Sequence, residues 1–344
     1  MKPVLTYDIG IAGAGIIGLS LALELNARGA SVAVLDARAA LGGASTAAAG
    51  MLAADDPHHP PQLHQLARYS VSLYDRFLAN IAQRSGLAVP YQTHTTIQYQ
   101  DDGSSLTLAE KSVDPRQLAA AALEAARRSG IRLIEHCREL QLDEDASGIR
   151  VQPLHGSPLH ARSLVHASGA WYRGTPAIAP RKGQMLRVGI PASMPLHAVH
   201  RSSSIYIVPR THGPQAGSAL IGATEEDAGF DVRVAQSDLD QLRSRAAALL
   251  PELASPHAAP QLEAWAGLRP ATADRLPVIG RLSGHQWIAG GHFRNGILLA
   301  PATAFVLADL LDGKVPAVDL SSFNPRREMD RVFAHPVRYS ITRP

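Results

Sequence analysis

The chain has 344 residues, 46% of them hydrophobic and 18% charged, with a formal net charge of +3. This composition excludes a disordered or fibrous chain, and its scattered basic residues, without a run of like charge, argue against nucleic acid as a partner. Cys137 is the only cysteine, which excludes an internal disulfide and fits a reducing compartment.

The predicted elements begin with a short apolar run, Tyr7 to Ala12, read as a buried strand. Glycines follow at 13, 15 and 18. Ile16 to Arg28 reads as a helix with Gly29 just past its end. Val32 to Leu35 is a second strand, closed by Asp36. The apolar stretch from Ile9 to Leu23 holds four glycines and a serine, so it is a strand, turn and helix rather than a signal peptide or membrane span. The expected location is the cytoplasm. Ala37 to Ala54, rich in alanine and glycine, is a functional loop or a short helix. Asp55 to Pro61, with three prolines, is irregular. His64 to Gln83 has helical periodicity, and Thr95 to Gln100 alternates as strands do. Asp114 and Pro115 are placed as cap and first turn of a helix reaching Arg128. Ile131 to Glu135 and Ser163 to Ala167 are strands. Met185 to about Glu263 is mostly short strands, clearest at Ser204 to Pro209 and Ala219 to Gly222, interrupted by a helix from Asp238 to Leu250. Short strands return around Val278 and Trp287, and a long helix runs from about Ile297 to Leu311.

Gly13-Ala14-Gly15-Ile16-Ile17-Gly18 matches G-x-G-x-x-G between a strand and a helix, with Asp36 closing the second strand 18 residues after Gly18. That context marks a dinucleotide fingerprint. Gly13 allows the tight turn, Gly15 lets backbone approach the pyrophosphate, and Gly18 lets helix and strand pack closely. The helix N-terminus offers N–H groups and a positive dipole end to the phosphates. Asp36 would accept hydrogen bonds from ribose hydroxyls. The motif does not separate FAD from NAD.

Three later segments resemble the D-amino acid oxidase superfamily of flavoproteins, and within it the ThiO-type glycine oxidases. They are Ala44-Ser45-Thr46-Ala47-Ala48-Ala49-Gly50-Met51-Leu52; Trp265-Ala266-Gly267-Leu268-Arg269-Pro270-Ala271-Thr272, continuing through Asp274, Leu276-Pro277 and Ile279-Gly280; and Gly291-His292-Phe293-Arg294-Asn295-Gly296-Ile297-Leu298-Leu299-Ala300-Pro301. The resemblance implies non-covalent FAD and an α/β fold, α+β overall. A Rossmann-like FAD-binding domain, discontinuous over 1–60, 110–180 and 264–325, would carry an inserted antiparallel β-rich substrate domain over 61–109 and 181–263.

Carried onto this chain, the resemblance puts Ala44, Ser45, Ala49, Gly50 and Met51 on the flavin, with Ala37 beside Asp36. It also implies a main-chain contact of Glu139 with the adenine. His292, Phe293, Arg294, Asn295, Gly296, Ile297 and Leu298 would lead into the last helix beneath the flavin. Asn295 suits an N-cap, and that helix end would favour the negative charge of the reduced ring. Arg269 and Arg294 are the implied carboxylate anchors, since a planar guanidinium grips a carboxylate through two parallel hydrogen bonds. Tyr206, in Ile205-Tyr206-Ile207-Val208-Pro209-Arg210, would add a hydroxyl contact. Ser204 would tune which side chains are admitted.

Asp55, Asp56, His58 and His59 fit no zinc spacing and read as a solvated loop, so no metal is expected. The implied reaction is oxidation of glycine, sarcosine or D-alanine by hydride transfer to flavin, with dioxygen as acceptor and no acid or base residue required. For glycine the imine hydrolyses to glyoxylate and ammonia, and ThiO-type relatives feed the thiazole branch of thiamine synthesis. Three alternatives stay open at this point. They are a D-amino acid or secondary-amine dehydrogenase with another acceptor, a flavin subunit of a hetero-oligomer, and an NAD-dependent dehydrogenase. Relatives commonly form homo-oligomers.

Overall fold

The computed structural model describes residues 5–137, 140–154, 156–191 and 193–327. Its helices are α1 (Ile16–Ala27), α2 (His64–Ser85), α3 (Pro115–Arg128), α4 (Gln236–Leu249) and α5 (Gly296–Leu311). Two large sheets face different partners.

The first sheet has eight strands. Leu5–Ala12 lies at its centre, parallel to Val32–Leu35 on one side and to Leu159–His166 on the other. Arg132–Ile134 and Gln286–Gly290 extend it in the same sense. Val32–Leu35 is buried throughout, as a strand covered on both faces must be, which is why it reads as an unbroken apolar run. Val278–Ser283 adds an antiparallel edge, and the hairpin Leu140–Asp145 with Gly148–Pro153 folds onto Leu159–His166.

Helices α1, α2, α3 and α5 share one core with this sheet. Buried Leu66, Ala67, Ser70, Tyr74, Leu78 and Ile81 recur at helical spacing along α2. Asp114 caps α3 by accepting from Arg116 N at 2.9 Å, with Pro115 in the first turn as expected. Helix α5 is apolar on every side and therefore buried. Pro301 inside it has no N–H to give the carbonyl of Ile297 four residues back. Two side chains of α2 repair this. Tyr74 Oη donates to Ile297 O at 2.5 Å, and Ser70 Oγ donates to Leu298 O at 2.6 Å while accepting from Ala302 N at 3.2 Å.

The second sheet has seven strands in the order Gln261–Ala271, Ala179–Gly189, Ser218–Gly222, Tyr206–Arg210, Val199–Arg201, Thr96–Tyr99, Ser105–Leu108. All neighbours are antiparallel except Val199–Arg201 and Thr96–Tyr99, which run parallel. Helix α4 covers one face over Leu186, Ile207 and Ile221. The other face carries Met185, Val208, Leu220, Tyr206 and Trp265 and meets Ala49 and Met51.

The fold class read from the sequence holds, with differences of detail. The region expected as short strands, Met185 to about Glu263, begins and ends inside two strands of 11 residues, Ala179–Gly189 and Gln261–Ala271. Interior Gly183 and Gly267 and alternating charges disguise them. The expected boundary at 61 assigns α2 away from the core into which it packs, and the boundary at 264 cuts Gln261–Ala271 inside a single strand. No helix among the described residues is long and apolar enough to cross a membrane.

Candidate cofactor and substrate site

A cavity of about 1620 Å³ is lined by both sheets. That exceeds the roughly 300–1,000 Å³ of a drug-sized pocket and suits a dinucleotide plus a small substrate. Its walls include Ala12, Leu35, His166 and Ala289–Gly290. These lie at the carboxyl ends of the parallel strands, where open α/β sheets bind ligands.

At the glycine turn, Gly13 has φ +124°, and a Cβ there would lie 2.3 Å from Ala167 O. Gly13 N donates to Leu35 O at 2.7 Å. Gly18 is absent from the cavity wall. A Cβ on it would meet Gly13 O at 1.9 Å, so its demand is close packing, the part the fingerprint gives it. Asp36 lines the cavity and holds the turn, accepting from Ala14 N at 2.8 Å and Arg38 N at 2.9 Å. Gly15, Ile16, Ile17 and Ala37 also line it. Ser45 lines it too, and its Oγ accepts from Ile16 N at 2.9 Å in the first turn of α1. Glu139 lies outside the described residues.

The small-residue loop is turns rather than a helix, and Ala44, Ala49, Gly50 and Met51 face the cavity. It is held from behind by residues that sequence reasoning missed. Trp265 Nε1 donates to Ala47 O at 3.1 Å, Arg116 Nε to Thr46 O at 3.3 Å, and Arg210 Nη2 to Ala49 O at 2.9 Å. Arg210 is fully buried, and burial pulls its guanidinium down to about 10. A Cβ on Gly50, at φ +89°, would lie 2.1 Å from Val113 O.

The segment leading into α5 forms the adjoining wall, with His292, Phe293, Arg294, Asn295, Gly296, Ile297 and Leu298 all on the cavity. Phe293 has φ +50° and its N–H donates to Pro270 O at 2.7 Å. His292 is buried with Nε2 3.0 Å from Thr303 Oγ1, and burial pushes its pKa down to about 3, so the ring is neutral. Asn295 occupies the N-cap position but its side chain makes no cap hydrogen bond, contrary to expectation. Its Oδ1 lies 2.9 Å from His59 Nε2 instead. The leading N–H groups of α5 thus have no cap from Asn295, and the residues bearing them line the cavity. These features fit a dinucleotide and a flavin: glycines where a Cβ would strike backbone, two helix N-termini on the cavity, that of α5 without a side-chain cap, and a floor of small side chains.

On the antiparallel sheet, strand register brings the substrate candidates together. Tyr206 pairs with Gly222, Gly222 with Met185, and Met185 with Trp265. The Tyr206 ring lies over Gly222, where a Cβ would be 2.7 Å away, and its hydroxyl reaches Met185 Sδ at 3.7 Å. The Arg269 guanidinium lies over Gly183, where a Cβ would be 2.2 Å from Nη2. Arg269 Nη1 donates to Thr224 O at 3.1 Å and Lys182 O at 3.3 Å, which fixes the plane of the fork. Tyr206 and Arg269 both line the cavity, as does Ser204. Glycine inside a strand signals close approach, which is the sequence sign of Gly183 and Gly222.

Arg294 sits at the cavity wall with Nη2 3.2 Å from Asp56 Oδ2. Asp56 is 2% exposed and His59 7%, so this segment is no solvated loop. Arg201, also 2% exposed, supplies the compensating charge that lets a carboxylate stay buried. Burial pushes the Asp56 carboxyl up, but Arg201, the His58 N–H and Arg294 outweigh it and hold it below its usual range. Among the described residues no group of three or more His, Cys, Asp or Glu side chains is arranged to hold a metal ion.

The model of the FAD dependent oxidoreductase family known as DAO matches residues 8–111 and 102–310. A glycine oxidase from Geobacillus kaustophilus is 30% identical over 95% of this chain and 98% of its own length. A bifunctional protein ThiO/ThiG from Trichormus variabilis is 32% identical over 98% of this chain and 58% of its own. The crystal structure of glycine oxidase from Geobacillus kaustophilus superposes with a TM-score of 0.85 at 28% identity, over 94% of this chain and 99% of that one. With a glycine turn, an α5 end and a small-residue loop converging on one large cavity, and a family model spanning most of its length, this chain belongs to the DAO family of FAD dependent oxidoreductases.

Proposed function

We propose that the chain oxidises glycine or a comparably small amino acid, sarcosine and D-alanine included. The observation that carries this is that Arg269, Tyr206 and Arg294 line the same cavity as the small-residue loop. Arg269 takes the substrate carboxylate on its fork, with Tyr206 Oη as a further donor and Arg294 closing the other side. That grip turns the Cα–H and the amine away from the charged wall and toward the loop, so orientation supplies most of the catalysis. The amine reacts in its neutral form, and no side chain need act as nucleophile or base. FAD, when bound, would supply the redox chemistry, as a two-electron (hydride) acceptor that dioxygen can reoxidise with formation of hydrogen peroxide.

The cofactor would be held without a covalent bond, with the α1 end taking the pyrophosphate, Asp36 and Ala37 the ribose, and Ala44 to Met51 with His292 to Leu298 the flavin. Glycine then yields an imine that water converts to glyoxylate and ammonia. The similarity to a ThiO/ThiG protein supports a role in forming the thiazole of thiamine. The test is anaerobic mixing of the FAD-loaded protein with glycine. Bleaching near roughly 450 nm is expected, with re-colouring and peroxide on admitting air. Bands that glycine leaves unchanged would overturn glycine as substrate, and bleaching without recovery in air would replace the oxidase by a dehydrogenase using another acceptor.

A further inference from the structure

We propose that Asp56 and Arg201 form a buried positioning device for Arg294 and thereby set how tightly the site grips a carboxylate. This rests on the proposed role of Arg294 as an anchor. Arg201 stands on the strand Val199–Arg201, in register with Gln98, and its Nε donates to Gln98 Oε1 at 2.6 Å. Its Nη1 lies 3.2 Å from Glu110 Oε2 and 3.8 Å from Asp56 Oδ2. That same Oδ2 accepts from Arg294 Nη2 at 3.2 Å, and Oδ1 accepts from His58 N at 2.9 Å. One carboxylate oxygen therefore stands between two guanidiniums from distant parts of the chain.

The two guanidiniums differ in exposure. The Arg201 side chain is 2% exposed, whereas that of Arg294 is 40% exposed at the cavity wall. Arg201 also lines the cavity, and the role assigned to it is to act on Arg294 through Asp56. Two carboxylates, Asp56 and Glu110, balance two guanidiniums, which makes this buried charge tolerable. A free arginine samples many rotamers and loses that freedom on gripping a ligand. Tying Nη2 to a carboxylate that is itself locked removes much of that cost beforehand and leaves the rest of the fork for the substrate. The Asp56 loop lies between two anchored elements. Arg201 joins it to the antiparallel sheet, and the Asn295 contact with His59 joins it to the start of α5. The device thus sets the spacing between the sheet carrying Tyr206 and Arg269 and the segment carrying Arg294.

The experiment is an acetate titration of the FAD-loaded full chain, read from the perturbed visible spectrum, which needs no turnover. Arg201→Gln is expected to raise the acetate Kd about tenfold, and Arg201→Lys to recover part of it. Arg294→Ala raises the Kd by itself, and adding Arg201→Gln to it then changes nothing more. Equal weakening with and without Arg294, no weakening at all, or no acetate binding by the unaltered protein overturns the proposal. If Arg201→Gln fails to fold or retain FAD, Asp56→Asn enters the same cycle with the same expectation. Glycine reduction is scored separately. Coupling without reduction keeps the device and removes glycine as substrate, and reduction without coupling does the reverse.

Discussion

The two ends of the cavity are built in different ways. At the proposed cofactor end, the candidate binding groups are backbone N–H donors, supplied by the glycine turn that runs straight into α1 and by the start of α5. At the proposed substrate end, they are side chains fixed by partners from other strands and loops: Arg269 on the carbonyls of Lys182 and Thr224, Tyr206 over Gly222, and Arg294 on Asp56. The first design tolerates many side chains and forbids a Cβ at a few points. The second design depends on each partner. The difference teaches that damage should be all-or-none at one end and graded at the other.

The largest effect is expected from Gly13→Ala. The new Cβ meets the Ala167 carbonyl, and φ of +124° is one that alanine rarely adopts. FAD affinity should fall at least about a hundredfold, so that the purified protein is colourless. Retention of a full complement of flavin would break the comparison, because it would mean the turn can shift without loss.

At the other end, Arg269→Ala should raise the apparent KM about a hundredfold while the flavin stays bound, as expected when one partner of a buried charge pair is removed. Gly183→Ala sharpens this test. Its Cβ would fall 2.2 Å from Arg269 Nη2, the end of a side chain that can move. The guanidinium is displaced rather than lost, and a rise of about tenfold in KM with little change in kcat is expected. An effect of Gly183→Ala as large as that of Arg269→Ala would mean the substrate end is as brittle as the cofactor end.

The same contrast decides what was legible in the sequence. The glycine turn, α1 and Asp36 interact within a span short enough for spacing to fix geometry, and the parallel strands announce themselves as apolar runs. Gly183 and Arg269 are brought together by the pairing of Gly183 with Gly267 in strands far apart along the chain, which no local pattern encodes. Asp56 and His59 were misread for the same reason. Three prolines and adjacent charges resemble a solvated loop until Arg201 and Asn295, each more than a hundred residues away, are seen to hold them. The Asn295 side chain follows this pattern, because a good N-cap residue is diverted by a long-range partner. Residues 64–85 looked separable from the cofactor core because nothing in their periodicity says that Tyr74 and Ser70 complete the broken ladder at Pro301.

The remaining expected effect concerns acid and leaves activity at neutral pH untouched. His292 at the cofactor end is neutral, its pKa pushed by burial from about 6.5 to about 3. Between those two values the unfolded chain binds a proton that the folded protein refuses, so unfolding becomes easier as pH falls through that window. Stability associated with this group is complete above about pH 6.5 and is lost progressively toward pH 3. His59, His166 and His200 are shifted in the same direction by burial and add to the slope. Replacing His292 by Gln keeps a partner for Thr303 but removes one proton from the linkage. The acid limb of denaturant-measured stability should then flatten by up to about 1.4 kcal/mol per pH unit between roughly pH 6 and pH 4. An unchanged slope would mean that the folded protein accommodates the imidazolium by opening the wall around α5. The cofactor end would then be as adjustable as the substrate end, and the proposed contrast between the two would fail at a buried residue of its wall.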